Sequence, residues 1–141
     1  MNPPADCTFC AIVRGDLAAH VVLDDGPFFA FLDRRPLFHG HVLLVPREHV
    51  ETIMDAPPGL LGPLAGATQT LSRAVLQAMD ADGIFNAVNN VVSQSVPHLH
   101  VHVVPRRRKD GLRGFFWPRT KYSSEEEAAA VAARIRERLG H

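Results

Sequence analysis

Three histidines, His98, His100 and His102, alternate with Leu99 and Val101 inside the segment QSVPHLHVHVVP, residues 94–105. Imidazole can bind a metal, attack an electrophile or hand on a proton, so this spacing calls for a division of tasks. On a β-strand alternate residues share one face, about 7 Å apart, which puts His98 and His102 about 13 Å apart. One tetrahedral zinc ion, with bonds to nitrogen of about 2 Å, cannot easily collect all three rings. The triad is therefore read as serving more than one purpose.

The chain has two cysteines, Cys7 and Cys10, in a C-x-x-C arrangement. That spacing suits a metal or a redox pair better than a structural disulfide. A redox motif would follow a buried strand, whereas this one follows a short polar tail, so metal is the better reading. Zinc sites take four cysteine or histidine ligands, and His49 and His98 could complete a Cys2His2 set. The competing reading is an unliganded thiol pair beside ordinary polar histidines. If His98 is committed to a metal, His100 and His102 are free. A neutral imidazole held by an acceptor on one nitrogen can attack phosphorus with the other. A neighbouring histidine and Gln94 could then donate to the phosphoryl oxygens as charge develops.

Fifteen basic residues balance fifteen acidic ones, which argues against a dedicated nucleic-acid binder. Between Arg106 and Lys121, however, seven basic residues face one acid, Asp110. This stretch is either a solvated loop or a local field for a phosphate-bearing ligand. No apolar run is long enough for a membrane span and no signal-peptide pattern opens the chain, so a cytoplasmic protein is expected.

The elements that must hold these residues follow from periodicity. Residues 20–25 and 27–33 read as a hairpin around Gly26, and 41–46 as a buried strand. Residues 58–79 carry apolar positions at helical spacing, with Gly62, Pro63 and Gly66 limiting the firm part to 64–79. Residues 84–90 and 98–104 read as two further strands. A final helix over about 124–139 follows a capping box, Ser123 with Glu126 or Ser124 with Glu127. No repeat or linker divides the chain, so the expectation is a single α+β domain, 1–141, with two helices packed on one face of a sheet.

HLHVHVV with QSVP directly upstream resembles the signature of the histidine-triad (HIT) proteins. The resemblance extends to CTFCAIVRGDLAAHVVLDDGPFFAFLDRRP and to GHVLLVPREHV, in the family's order, over most of residues 7–105. It implies a five-stranded antiparallel sheet, a homodimer, and hydrolysis or transfer of nucleoside monophosphate groups through a nucleotidyl-histidine. By position in the motif, His100 would be the nucleophile, His102 would support the phosphate or leaving group, and His41 would orient the nucleophile. Zinc-bearing members imply one structural zinc per chain on Cys7, Cys10, His49 and His98. Asp33 matches the carboxylate that takes the ribose hydroxyls. Phe9, Ile12 and Leu32 could line the base slot or be plain core. Gln94 and Ser95 match polar positions near the α-phosphate, and Asn89 or Asn90 a phosphate or ribose contact. Dinucleoside polyphosphates and nucleoside phosphoramidates are the substrates implied.

The chain also departs from the pattern. NNVVSQ, residues 89–94, is short and lacks glycine, and His39 is additional, read as a solvated turn residue. Trp117 could lie over a site or be buried in a dimer. The competing functions are a metallohydrolase that uses the triad as a catalytic metal site and a nucleotide-binding protein without catalysis.

Overall fold

Strands β2 (Phe28–Leu32) and β3 (Val42–Pro46) carry large side chains at consecutive positions, FFAFL and VLLVP, and almost all of them are buried. Alternation sends neighbours to opposite faces, so such strands need cover on both. The computed structural model describes residues 4–112 and 119–140. The chain forms two compact units, Met1–Arg108 and Lys109–His141.

The first unit is built on a five-stranded antiparallel sheet. Its order is β1 (Val21–Asp25), β2, β3, β5 (Val101–Arg106), β4 (Gly83–Ala87). On one face Phe28, Ala30, Val42, Leu44, Leu99, Val101 and Val103 pack with Leu64, Leu71 and Val75 of helix α2 (Pro58–Ala78). On the other, Phe29, Phe31, Leu43 and Val45 pack with Phe9, Cys7 and Cys10 at helix α1 (Thr8–Arg14). Leu44 has no solvent exposure, and truncating such a residue to alanine costs about 2–5 kcal/mol.

Several boundaries differ from the sequence expectation. Helices cover both faces rather than one, because the seven-residue α1 is too short to show an apolar period. It is stopped by Gly15 in the left-handed region at φ 87°. Three helices, not two, are present among the described residues. Helix α2 begins at Pro58, where proline's missing N–H is unneeded, and runs through Pro63. Strand β4 ends at Ala87 rather than residue 90, and β5 begins at Val101 rather than residue 98. Ahead of β5 the chain bends: the His98 N–H donates to the Val96 carbonyl at 2.8 Å and Leu99 N–H to Val50 at 2.6 Å.

Gly40, at φ 96°, makes the close turn into β3; a Cβ there would meet Met79 Cγ at 2.6 Å. In the second unit helix α3 (Glu125–Leu139) is capped by Ser124, whose hydroxyl accepts from the Glu127 N–H. Ser124 with Glu127 is thus the capping pair, although the Glu127 carboxylate takes the N–H and hydroxyl of Ser123 instead. These bonds hold that carboxyl below its usual pKa. Arg113 and Trp117 lie outside the described residues.

The glycine-free loop before the triad has a cost. Val91, at φ 75°, and Ser93, at φ 64°, occupy the left-handed region, which a β-branched residue adopts only under strain. Val91 is 69% exposed, so little packing is lost on removing its side chain. Val91→Gly should therefore raise stability by about 1 kcal/mol in urea unfolding. Destabilisation would show that loop strain is not the controlling quantity.

Candidate active site and metal centre

Four buried ligand groups, Cys7, Cys10, His49 and His98, converge so that their donor atoms lie within 4.8 Å of one another. Cys7 is the N-cap of α1 and its Sγ accepts from the Cys10 N–H at 3.4 Å, so one short helix places both thiols. His49 follows β3 and His98 precedes β5. The two Nδ1 atoms are 3.3 Å apart. Sγ of Cys7 and of Cys10 lie 3.4 and 3.5 Å from His98 Nδ1, and Cys10 Sγ lies 3.4 Å from His49 Nδ1. A tetrahedral zinc with ordinary bond lengths has edges of about 3.3 Å between nitrogens and about 3.6 Å between nitrogen and sulfur. The cluster matches those edges.

The ligands' chemistry agrees with the geometry. His98 Nε2 lies 2.8 Å from the Pro46 carbonyl. A carbonyl only accepts, so Nε2 carries the proton and the Nδ1 lone pair faces the thiols. Burial pushes His98 down to about 4, which keeps it neutral. Burial, with Cys7 alongside, pushes the Cys10 thiol up to about 11. A divalent cation would reverse that preference and hold both sulfurs as thiolates.

His100 and His102 share the sheet face of Phe9 and Phe31. His100 Nδ1 lies 2.7 Å from the His98 carbonyl. By the same argument Nδ1 is protonated, and in the neutral ring Nε2 keeps its lone pair. Burial lowers the pKa of His100 and outweighs the opposing pull of that carbonyl and of Asp33. The edge-on ring of Phe9, with centroids 5.0 Å apart, braces it.

The motif position of His41 implies that it orients the nucleophile. The structure instead pairs it with His102, Nε2 to Nδ1 at 2.9 Å. The Leu37 N–H donates to His41 Nδ1 at 3.1 Å, so the proton of neutral His41 is on Nε2 and points to His102. His102 Nδ1 therefore accepts, and its Nε2–H is the outward donor. His102 is pushed down to about 4, by burial first and then by its His100 and His41 neighbours. Burial also lowers His41. Asp33 Oδ2 lies 3.6 Å from His41 Nε2, and Asp33 Oδ1 accepts the Arg35 N–H at 2.9 Å.

His100 and His102 open into a cavity of about 820 Å³ with Phe9, Ile12, Leu32, Asp33 and Ser95 also in its wall. Leu32 is 36% exposed, so it is pocket wall rather than core. His39, expected to be a solvated turn residue, is exposed but lines this cavity, as do His20 and Arg34. His20, Arg34 and Leu17 were missed because ordinary residue types in a loop give no periodic signal.

Gln94, Asn89 and Asn90 are not in the wall. The Gln94 carboxamide donates to the Glu51 carbonyl and accepts from Val91 N–H. Asn90 Oδ1 accepts the Ile53 N–H at 2.8 Å. The polar groups of Gln94 and Asn90 stitch the loop before the triad to the segment after β3. Of the two groups of possible metal ligands among the described residues, one holds His98 and the other Asp33, His41 and His102. His100 belongs to neither, so the triad does not form one metal cluster.

Residues 14–109 match the family model described as the HIT domain. The chain belongs to the histidine-triad (HIT) family. It is 30% identical over 141 residues to adenylylsulfatase HINT3 of Arabidopsis thaliana, covering 95% of this chain and 70% of that protein. A crystal structure from Streptococcus mutans superposes with a TM-score of 0.87 at 31% identity, over 97% of this chain and 87% of that one. A zinc-bound histidine triad protein of Mycobacterium smegmatis, 36% identical, superposes with a TM-score of 0.72 over 94% and 96%.

If the Cys2His2 cluster is a zinc site, the purified protein should carry close to one zinc per chain by elemental analysis. Stripping it with a chelator, or Cys10→Ser, should lower the melting temperature by several degrees or more. Full retention of stability without zinc would remove the structural role.

Proposed function

We propose that this HIT protein is a nucleotide hydrolase or nucleotidyl transferase. It acts at the α-phosphorus through a nucleotidyl intermediate on His100. The observation that supports this most directly is the bond from His100 Nδ1 to the His98 carbonyl, 2.7 Å. It leaves Nε2 as a neutral nucleophile at a cavity able to take a nucleotide. Nε2 attacks phosphorus, forming the P–N bond while the bond to the leaving group breaks. The ring becomes cationic, stabilised by the His98 carbonyl and by the negative field of Asp33. Water, or another acceptor, then attacks the same phosphorus; His100 departs neutral, and the proton lost by water goes to solvent.

In this reading His102 Nε2–H donates a hydrogen bond to the oxygens that gain charge, and His41 fixes the tautomer that makes it a donor. Asp33 contacts the ribose hydroxyls, with Phe9, Ile12 and Leu32 along the base and Ser95 near the phosphate. Gln94 and Asn90 act indirectly, by holding the loop. Zinc on Cys7, Cys10, His49 and His98 supplies a rigid link between α1 and the head of the catalytic strand. A dimer in the family's manner and a cytoplasmic setting are part of the same reading. No helix among the described residues is long and apolar enough to cross a membrane.

The wiring also bears on the leaving group. His41 and His102 are both neutral and each hands its one proton along a hydrogen bond, so neither holds a proton to give away. A leaving group that departs as a stable anion needs none, whereas an amine does. Phosphoric anhydrides, such as dinucleoside polyphosphates or an adenylyl sulfate, therefore suit the site better than phosphoramidates. At pH 8 kcat/KM should favour an anhydride over the matching phosphoramidate by about tenfold or more; the reverse order would refute this wiring.

His100→Ala should fold, bind nucleotide and lose about 10³-fold or more in turnover. Quench of the wild type in denaturant at alkaline pH, where a P–N bond to histidine survives, followed by peptide mass spectrometry should find the nucleotidyl group on His100. Wild-type turnover in the alanine variant would exclude the covalent route. Because the neutral forms react and burial lowers both triad pKa values, anhydride turnover should be level above pH 6.5. It should fall only at lower pH, with the limb of His102 at about 4. An acid limb centred above 6.5 would contradict the neutral tautomers.

A further inference from the structure

The wall of the cavity holds a charged side chain, Arg34, to which the family resemblance gives no role. Asp33 still belongs to the β2–β3 ladder, since its N–H donates to the His41 carbonyl at 2.9 Å. A strand that continued would send Arg34 to the face opposite Asp33. The chain instead bends at Arg34, and both residues line the cavity. The Arg34 guanidinium has no hydrogen bond or ion pair among the described residues, so its donors remain for a ligand.

Its place in the sheet separates it from the phosphate chemistry. The strand order puts β3 between β2, which Arg34 follows, and β5, which carries His102. Two strand spacings make about 10 Å. On the β1 side of β2 the wall is Leu17, His20 and Leu32, with Phe9 and Ile12 of α1. The Leu32 N–H donates to the His20 carbonyl at 3.0 Å and ties that part of the wall together. A base falls there when Asp33 takes the ribose and His100 faces the α-phosphorus. Neighbouring Cα atoms are about 3.8 Å apart, so a ribose held at Asp33 brings its base within reach of the long Arg34 side chain.

An apolar slot takes any base, and the few polar groups in its wall decide which one is preferred. Thr8, His20 and His39 can each offer a donor or an acceptor, whereas a guanidinium offers donors only. Guanine presents two acceptors side by side, O6 and N7, which match the arginine fork. Adenine presents N7 beside an amino group, so a donor would face a donor. We propose that Arg34 reads the base and that the site prefers nucleotides of a 6-oxopurine, guanine or hypoxanthine, over those of adenine. This rests on the reading of the cavity as a nucleotide site and names the base its substrate carries.

Calorimetric titration of the full-length protein with nucleoside 5′-monophosphates tests this by binding alone. GMP and IMP should bind about tenfold or more tightly than AMP. In the wild type, 7-deaza-GMP, which lacks the N7 acceptor, should bind about fivefold or more weakly than GMP. Arg34→Met keeps a long stem but removes the fork; the ratio of GMP to AMP affinity should fall to about one, with the loss on GMP. The AMP binding that remains shows that the variant is folded. Arg34→Lys, a point charge without the fork, should keep only part of the preference. AMP binding as tightly as GMP in the wild type would overturn the proposal. So would an equal loss of GMP and AMP in Arg34→Met, the result a phosphate contact would give. If no nucleotide binds at all, the nucleotide site itself is overturned, and the base reading with it.

Discussion

The rest of the site depends on His98. Its imidazole is fixed at both nitrogens, one toward the thiols of Cys7 and Cys10 and the other on the Pro46 carbonyl. Its own carbonyl, in turn, holds Nδ1 of His100. Whatever positions the His98 ring therefore also sets the direction in which the His100 lone pair points. A Cys2His2 cluster two residues from the proposed nucleophile need take no part in the chemistry to govern it. Through this residue the N-terminal helix, which carries both thiols, is coupled to the start of β5.

That coupling needs a sheet covered on both faces. Leu99, Val101 and Val103 enter the core beneath α2, while His100 and His102 turn to the face of Phe9 and Phe31. The alternation of histidine with apolar residues is one strand serving two faces: a core on one and a reactive site on the other. Burial on the reactive face then does the electrostatic work. Burial outweighs the pull of Asp33 and of the backbone carbonyls, so the rings of His41, His98, His100 and His102 are all lowered and stay neutral.

Much of this is legible in the residues alone. The strands, the long helix and the final helix follow from apolar period and turn residues. C-x-x-C and two histidines at strand ends leave a metal set and an unliganded thiol pair both open. The family resemblance singles out Cys7, Cys10, His49 and His98, and the fold brings those four together. Other features rest on tertiary contacts that leave no local trace. TFCAIVR has too few turns to show a helical stripe, and its cap is a cysteine, not a usual N-cap residue. His98 sits in a bend because Val50 and Val96 take the backbone bonds that a strand would have used. Gln94 suggests a phosphoryl donor by residue type, and His41 an orienting role by its position in the motif. Their actual partners are the Glu51 carbonyl and His102, set by the loops after β3 and before β3.

The choice of His41's partner has a chemical consequence that position in a motif cannot carry. Protons along the row from Leu37 N–H through His41 to His102 all point one way, ending at an outward N–H. The same row weighs against a second metal on Asp33, His41 and His102, although their donor atoms are close enough. Binding there would require a lone pair on His41 Nε2, which means moving that proton to Nδ1. Nδ1 already accepts from a backbone N–H that cannot turn away, so the ring would lose both hydrogen bonds at once. Two clusters of similar compactness thus differ in kind. Where a carbonyl takes the remote proton, the near nitrogen is free for a metal; where a backbone N–H faces the remote nitrogen, the near one holds a proton.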